Sequence, residues 1–141
     1  KLTEEDYRGG SDGRFAKFSG PEGKRELFLK GNNELLSLTQ PQIIQSIHEA
    51  YLEAGSDIIE TNTFGANWSN LADYGVEDRI YELAFAGGKI AREAADAFST
   101  EEKPRFVLGS LGPGTKLPSL GHTTYENLKI KVDCRAGRLA A

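Results

Sequence analysis

Two short apolar segments, separated by helical patterns, constrain the fold of this chain more than any other feature of its sequence. Residues 57–62 (D-I-I-E-T-N) and 106–111 (F-V-L-G-S-L) each join apolar residues to a polar or glycine-containing end. Strands that alternate with helices are typical of parallel sheets in α/β proteins, where helices cover both faces. We therefore predict an α/β fold with two parallel strands that are buried on both sides.

Three helical patterns surround these strands. The first is expected to begin with Thr39 as its cap and Pro41 in its first turn, and to end at Gly55. A short helix within 67–73 and a long one over about 76–98 separate the strands. The predicted inward-facing residues are Ile43, Ile44, Ile47, Tyr51 and Ala54 in the first helix and Ile80, Leu83, Ala84, Gly87, Ile90, Ala91, Ala94 and Phe98 in the long one.

The two ends of the chain differ from this regular middle. Residues 1–34 are rich in glycine and show no period, which predicts an irregular arm that packs on the domain through scattered aromatic and leucine residues. Thr123 or Thr124 is expected to cap a last helix. Residues 35–141 are thus helix, strand, helix, strand, helix. Because two strands cannot protect both edges of a sheet, we expect either that 1–141 is a fragment of one larger domain or that the chain contains a strand that its pattern does not show.

Composition excludes several classes of function. The net charge is −4, from 21 acidic and 17 basic side chains without a basic stripe, which argues against nucleic-acid binding. No apolar stretch approaches the length of a membrane span, so no membrane partner is expected. The single cysteine, Cys134, permits no internal disulfide and favours a reducing, cytoplasmic environment.

Polar and glycine residues at the two strand ends are the candidate ligand-binding groups. In α/β proteins, ligands bind beyond the carboxyl ends of the strands. Glu60 ends an apolar strand; as a buried carboxylate it would bind a substrate amine or pair with a basic side chain. The same residue types also suit simple turns. The candidates are Glu60, Asn62, Thr63, Phe64, Gly109, Ser110, Gly112 and Pro113.

Other chemistry-bearing residues carry weaker indications. The sequence contains no phosphate-binding loop and no dinucleotide fingerprint. His48, within a helix, is expected to be a packed or surface residue, and His122 is expected either to cap its own loop or to face a pocket. Cys134, near the apolar stripe of the last helix, is expected to be a buried, inert thiol. We therefore predict no catalytic residue and no metal ligand in this chain.

Longer segments resemble the homocysteine-binding module of cobalamin-dependent methionine synthases. The resemblance runs through 29–41 (L-K-G-N-N-E-L-L-S-L-T-Q-P) and 47–64 (I-H-E-A-Y-L-E-A-G-S-D-I-I-E-T-N-T-F). It includes 72–75 (A-D-Y-G), 109–113 (G-S-L-G-P) and the opening 1–9, and it covers essentially residues 1–128. So long an ordered set of matches is far more specific than any one short motif.

The resemblance implies a partial (β/α)8 barrel that holds roughly strands two and three. It implies methyl transfer to the homocysteine thiol, which gives methionine. It also implies that Asn62, Thr63, Phe64 and residues 109–113 help to hold the amino-acid part of the substrate. It also implies zinc, held by three cysteines, and cobalamin, together with folate and cobalamin modules as partners, for the full-length family member. Zinc would lower the pKa of the thiol and supply a thiolate at neutral pH.

Departures from the family pattern leave other functions open. The glycine-rich first strand of the family is missing before Lys1, Cys134 matches none of the zinc cysteines, and the resemblance fades after Leu128. We therefore expect the isolated chain to be inactive and to bind no cofactor. The alternatives are a non-catalytic half-barrel that self-associates through exposed sheet edges, and a homocysteine methyltransferase that uses S-methylmethionine or betaine as donor.

Overall fold

Helices and strands alternate through the described part of the chain, residues 1–18 and 28–127 of a computed structural model. Within it, no helix is both long enough and apolar enough to cross a membrane. Short 3₁₀ turns lie at Asn33–Leu35, Glu77–Arg79 and Pro118–Leu120. The other elements are α1 (Glu4–Arg8), α2 (Leu36–Thr39), α3 (Pro41–Glu53), β1 (Ile58–Glu60), α4 (Trp68–Asp73), α5 (Ile80–Phe98) and β2 (Phe106–Leu108).

The two predicted strands pair in parallel, which confirms the α/β class. Ile58 lies opposite Phe106, Ile59 opposite Val107 and Glu60 opposite Leu108. Because side chains alternate across a strand, Ile59 and Val107 share one face. That face packs on the helices, in a cluster formed by Leu52, Ile59, Ala91, Ala94 and Ala95 with Phe98 and Val107 at its margin.

The other face of the sheet is open in the described structure, so the prediction of strands buried on both sides is wrong here. Ile58 is 50% exposed, Phe106 53% and Leu108 52%. The packing explains this, because α3 and α5 both contact the sheet through the cluster on the Ile59 side. The described residues therefore bury only one face of the two apolar strands.

Helix α5 buries the face that its sequence predicts. Its buried residues include Leu83, Ala84, Gly87 and Ile90, followed by Ala91, Ala94 and Ala95. A Cβ added to Gly87 would lie 2.9 Å from Thr63 Cγ2, so only glycine lets the helix approach the loop after β1 this closely. Gly87 is thus buried as predicted, whereas a Cβ at Gly88 would meet no described atom within 4 Å.

Helix α3 begins and packs differently from its prediction. Thr39 belongs to α2, and Gln40 is the residue that precedes α3. The buried residues are Ile44, His48 and Leu52, and the predicted inward-facing Ile47 and Tyr51 are 47% and 63% exposed. The helix ends at Glu53, and Gly55 stops the chain from continuing it as predicted, since its φ of +106° is the left-handed conformation that favours glycine.

The N-terminal arm packs on the domain as predicted, but it is not wholly irregular. It contains α1, in which the Asp6 carboxylate accepts hydrogen bonds from Thr3 N at 2.7 Å and Thr3 Oγ1 at 2.8 Å. The Glu4 carboxylate accepts bonds from the backbone N–H groups of Leu29 and Lys30, each at 2.8 Å, which ties the arm to the turn before α2. Five residues are too few for a helical period to show in the sequence.

Only the start of the predicted last helix lies within the described residues. Thr124 Oγ1 accepts a hydrogen bond from Asn127 N at 3.2 Å, as a residue that caps a helix does. The rest of the predicted helix, including Cys134, lies outside the described residues.

Candidate functional site

The carboxyl ends of β1 and β2 lie side by side, and their following loops are joined by hydrogen bonds. Thr61 N donates to Leu108 O at 2.9 Å, one residue beyond the end of β1. Further out, Gly112 N donates to Phe64 O at 3.0 Å. The structure thus brings together the two segments that the sequence singles out, and it holds them through backbone groups.

A chain of buried hydroxyls reinforces this joint. Thr61 Oγ1 accepts a bond from Ser110 N at 3.0 Å, Thr61 Oγ1 and Thr63 Oγ1 are 2.7 Å apart, and Thr63 Oγ1 donates to Ser110 O at 2.7 Å. Since each hydroxyl has one proton, Thr61 must donate to Thr63. Both hydroxyl protons then form hydrogen bonds, and the backbone N–H and C=O groups of Ser110 each have a partner.

Phe64 and Gly112 form a tight contact at the outer end of the joint. A Cβ added to Gly112 would lie 2.4 Å from Phe64 O and 3.0 Å from two atoms of the Phe64 ring. The position therefore excludes every other residue, although its backbone conformation does not require glycine. The ring itself is 59% exposed, so one side packs on the second loop and the rest is open to a ligand.

Asn62 and Glu34 attach the first loop to the turn before α2. Asn62 Nδ2 donates to Asn33 O at 2.8 Å and to Ser37 Oγ at 3.1 Å, so both of its N–H bonds are used internally. Glu34 Oε1 accepts a bond from Gly65 N at 2.7 Å. The part of Asn62 that remains for a ligand is its Oδ1 acceptor.

Asn67 fixes the far end of the first loop. Its Oδ1 atom accepts bonds from Asn70 N at 3.0 Å and Ser69 Oγ at 2.7 Å, which caps α4. Ser69 Oγ in turn accepts from Thr115 N at 3.3 Å, which links α4 to the chain that follows the second loop. The structural roles of Thr61, Glu34 and Asn67 in holding the loops were not predicted. The T-N-T spacing, which places two hydroxyls on one face, is the pattern from which Thr61 could have been found.

The remaining predicted site residues are more exposed. Glu60 is exposed on the open face of the sheet, so the prediction of a buried carboxylate is wrong: its strand has helices on the other face only. Gly109 and Pro113 are exposed, and Ser110 is half-buried. These residues lie along the second loop, where backbone and small side chains border the Phe64 ring.

The titratable groups near the site do not form a metal centre. Within residues 1–18 and 28–127, no three His, Cys, Asp or Glu side chains are grouped so that they could hold a metal ion. His122 Nδ1 accepts a bond from Leu117 N at 3.4 Å, which is the loop-capping role. His48 is 7% exposed within α3, and burial lowers its pKa. Burial, followed by the nearby Glu34 and Asp73 carboxylates, raises the pKa of Tyr74.

Comparison with known protein families identifies the family of this chain. Residues 2–135 match the family model described as homocysteine S-methyltransferase. The chain belongs to the homocysteine S-methyltransferase family. The resemblance noted in the sequence is thereby confirmed.

Two relatives of this homocysteine S-methyltransferase chain are methionine synthases from mycobacteria. The protein of Mycobacterium leprae (strain TN) is 55% identical over 97 residues, which cover 69% of this chain and 8% of the relative. The protein of Mycobacterium tuberculosis (strain ATCC 25618 / H37Rv) matches with the same identity and coverage. The chain therefore spans about 8% of the length of these curated relatives.

Proposed function

We propose that this chain supplies part of the amino-acid site of a homocysteine S-methyltransferase that forms methionine. In the reaction, the sulfur–carbon bond forms as the bond between the methyl group and its donor breaks, and the thiol proton is released. The joined strand ends carry this proposal, because they rigidly present the Phe64 ring, the Asn62 acceptor and the Gly109–Pro113 backbone at one edge of the sheet. Such preorganised groups orient a small substrate without loss of loop entropy.

We infer further that β1 and β2 are the second and third strands of a (β/α)8 barrel. Ile58, Phe106 and Leu108 occupy the face away from the helices, as residues that point into a barrel do. In this arrangement, further strands would cover that face, and the strand ends would lie at the rim where barrel enzymes bind their substrates.

Zinc and cobalamin enter this proposal only as groups of the whole enzyme, beside its folate and cobalamin modules. The donor set of residues 1–18 and 28–127 does not fit zinc, because no three potential ligands are grouped there. We derive no step through a metal. The contribution of the described residues is to bind and orient the amino-acid part of homocysteine.

A chimaeric enzyme tests the proposal. The 97 matched residues of Mycobacterium tuberculosis methionine synthase are replaced with those of this chain, and methionine formation from homocysteine is measured with the relative's own cofactors. We expect activity within about tenfold of the parent, a loss of no more than about 1.4 kcal/mol in transition-state stabilisation. A folded chimaera that forms no methionine would contradict the proposal.

The open sheet face supports a second candidate, a non-catalytic module that self-associates. Three half-exposed apolar side chains at adjacent positions suit contact with another sheet. Sedimentation equilibrium of the chain and of Leu108→Glu separates the two functions. A reversible dimer that the variant abolishes, together with an inactive chimaera, would favour the module; a monomer with an active chimaera would favour the enzyme.

A further inference from the structure

The peptide unit between Phe64 and Gly65 is held at both of its polar groups. Its oxygen, Phe64 O, accepts a hydrogen bond from Gly112 N at 3.0 Å. Its N–H group, at Gly65, donates to Glu34 Oε1 at 2.7 Å. A peptide unit is planar, so two bonds on opposite sides fix the orientation of its plane. The second loop and the turn before α2 together set the direction in which the Phe64 side chain leaves the backbone.

The Glu34 carboxylate lies directly against the backbone at Gly65. A Cβ added to Gly65 would lie 2.6 Å from Glu34 Oε1, 2.8 Å from its Cδ and 2.9 Å from its Oε2. Only glycine therefore leaves room for the carboxylate in this position. Hydrogen bonds to an ionised acceptor are roughly twice as strong as those between neutral groups, so the contact restrains the loop firmly.

Glu34 can act as a fixed support because its own turn is anchored. Tyr7 Oη donates to Asn33 Oδ1 at 2.8 Å, which connects the turn to α1. Leu35, the next residue after Glu34, is fully buried in the hydrophobic core. Asn62 Nδ2 donates to Asn33 O at 2.8 Å, so the turn holds the first loop at a second point. The position of Glu34 is therefore set by the N-terminal arm and the core.

We propose that Glu34 is a positioning residue of the methyltransferase, which sets the orientation of the Phe64 ring through the backbone of Gly65. The inference rests on the proposed function, because the ring matters to the reaction only if the strand ends hold the amino acid. The ring is 59% exposed, and its contact with Gly112 restrains one side only. Without Glu34 the ring would adopt further orientations, and ordering them on binding would reduce the affinity for homocysteine.

Nuclear Overhauser effects between the Phe64 ring and the Gly112 α-protons test this in the chain itself. A Cβ at Gly112 would lie 3.0 Å from two ring atoms, so we expect a strong effect in the unsubstituted chain. Glu34→Ala should weaken it severalfold. Glu34→Gln keeps an acceptor for Gly65 N and should retain most of it. An unchanged effect in folded Glu34→Ala would overturn the proposal.

Two further variants make the test specific. Glu49→Ala is the matched control, because its carboxylate accepts a bond from Gln45 Nε2 at 2.7 Å on the exposed side of α3, and it should leave the Phe64 signals unchanged. Gly65→Ala crowds the carboxylate and should weaken the same effect, but should add little in the Glu34→Ala background. Additive losses in the double variant would overturn the contact between Glu34 and Gly65 as the cause.

Kinetics separate the inference from the proposed function. Residues 2–135, which match the family model, replace the corresponding segment of Mycobacterium tuberculosis methionine synthase. We expect Glu34→Ala to raise the Michaelis constant for homocysteine about tenfold with kcat within about twofold, and Glu34→Gln to raise it no more than about threefold. An active chimaera with an unchanged constant in Glu34→Ala would overturn the inference alone. Equal losses in both variants would also overturn it, because Glu34 would then act through its charge on the substrate. An inactive unsubstituted chimaera would overturn the inference together with the proposed function.

Discussion

The loops after β1 and β2 meet at one edge of the sheet, yet they are built in opposite ways. The first is internal: Thr61, Thr63 and Asn67 are 7%, 2% and 1% exposed, and the two hydroxyl groups and the Asn67 Oδ1 atom form hydrogen bonds within the protein. The second is external, with Gly109, Leu111 and Pro113 exposed and Gly112 buried. The difference indicates that the side chains of the first loop fix the geometry, while the second contributes backbone to a ligand.

Gly112→Ala should have the largest effect on this arrangement, because it forces the two loops apart at their closest contact. The new Cβ would lie 2.4 Å from the backbone oxygen of Phe64, which cannot move like a side-chain end. We expect the free energy of unfolding, measured in urea, to fall by about 3 kcal/mol.

Gly88→Ala is the matched control for that measurement. It adds the same methyl group in α5, where no atom lies within 4 Å, and should raise the free energy of unfolding by up to about 1 kcal/mol. Equal effects at the two glycines would show that the loop contact at Gly112 is not tight.

Thr63→Val tests the hydroxyl chain inside the first loop. The variant keeps the shape of the side chain but leaves Ser110 O and the Thr61 hydroxyl without their partner. We expect a loss of about 2 kcal/mol in the free energy of unfolding, the cost of orphaned buried polar groups. Thr63→Ser restores the hydroxyl and should lose less; a larger loss in Thr63→Ser would assign the effect to the methyl contact with Gly87.

Buried His48 in the helical core should make the stability of the protein depend on pH. Burial lowers its folded-state pKa, so the unfolded chain binds this proton more readily. The stability is fully present above the unfolded value of about 6.5 and falls as the pH drops below it, until the folded-state pKa is reached, by at most about 1.4 kcal/mol per pH unit for one proton. His48→Gln should remove that part of the pH dependence in urea titrations; an unchanged profile would contradict it.

Asp96→Asn marks the smallest expected effect. Its pair with Arg92, at 2.7 Å, joins two side chains that are 65% and 46% exposed. Solvent screens such pairs, so we expect a change of less than about 0.5 kcal/mol in the free energy of unfolding. If Asp96→Asn lost as much free energy of unfolding as Thr63→Val, the hydrogen bonds between the strand-end loops would not be more important for stability than an exposed ion pair.

The elements with long periods could be predicted from the sequence, and the short or context-dependent features could not. Helix α5 shows its buried face over 19 residues, and the parallel pairing follows from the helix between the strands. Helix α1 has five residues, so its capping pair was overlooked. In α3 the pattern contains two adjacent apolar stripes, and the packing selects Ile44 and Leu52 rather than Ile47 and Tyr51.

The candidate site was predictable in place but not in detail. The strand-end rule locates residues 60–64 and 109–113, and the loops do meet there. Which polar groups are used internally depends on contacts between residues 25 to 49 positions apart, such as Asn62 with Ser37 and Thr61 with Ser110. Nothing in the local sequence reveals that Asn62 and Thr63 hold the loops while the Phe64 ring stays exposed. Glu60 was misplaced for the same reason.

The Michaelis constant for homocysteine tests the central claim most directly, in the chimaeric methionine synthase that carries this chain's matched residues. If the joined strand ends position the amino acid, Thr63→Val should raise the Michaelis constant roughly tenfold, while Thr63→Ser and the remote Asp96→Asn stay near the unsubstituted chimaera. A folded, active Thr63→Val chimaera with an unchanged Michaelis constant would contradict the account.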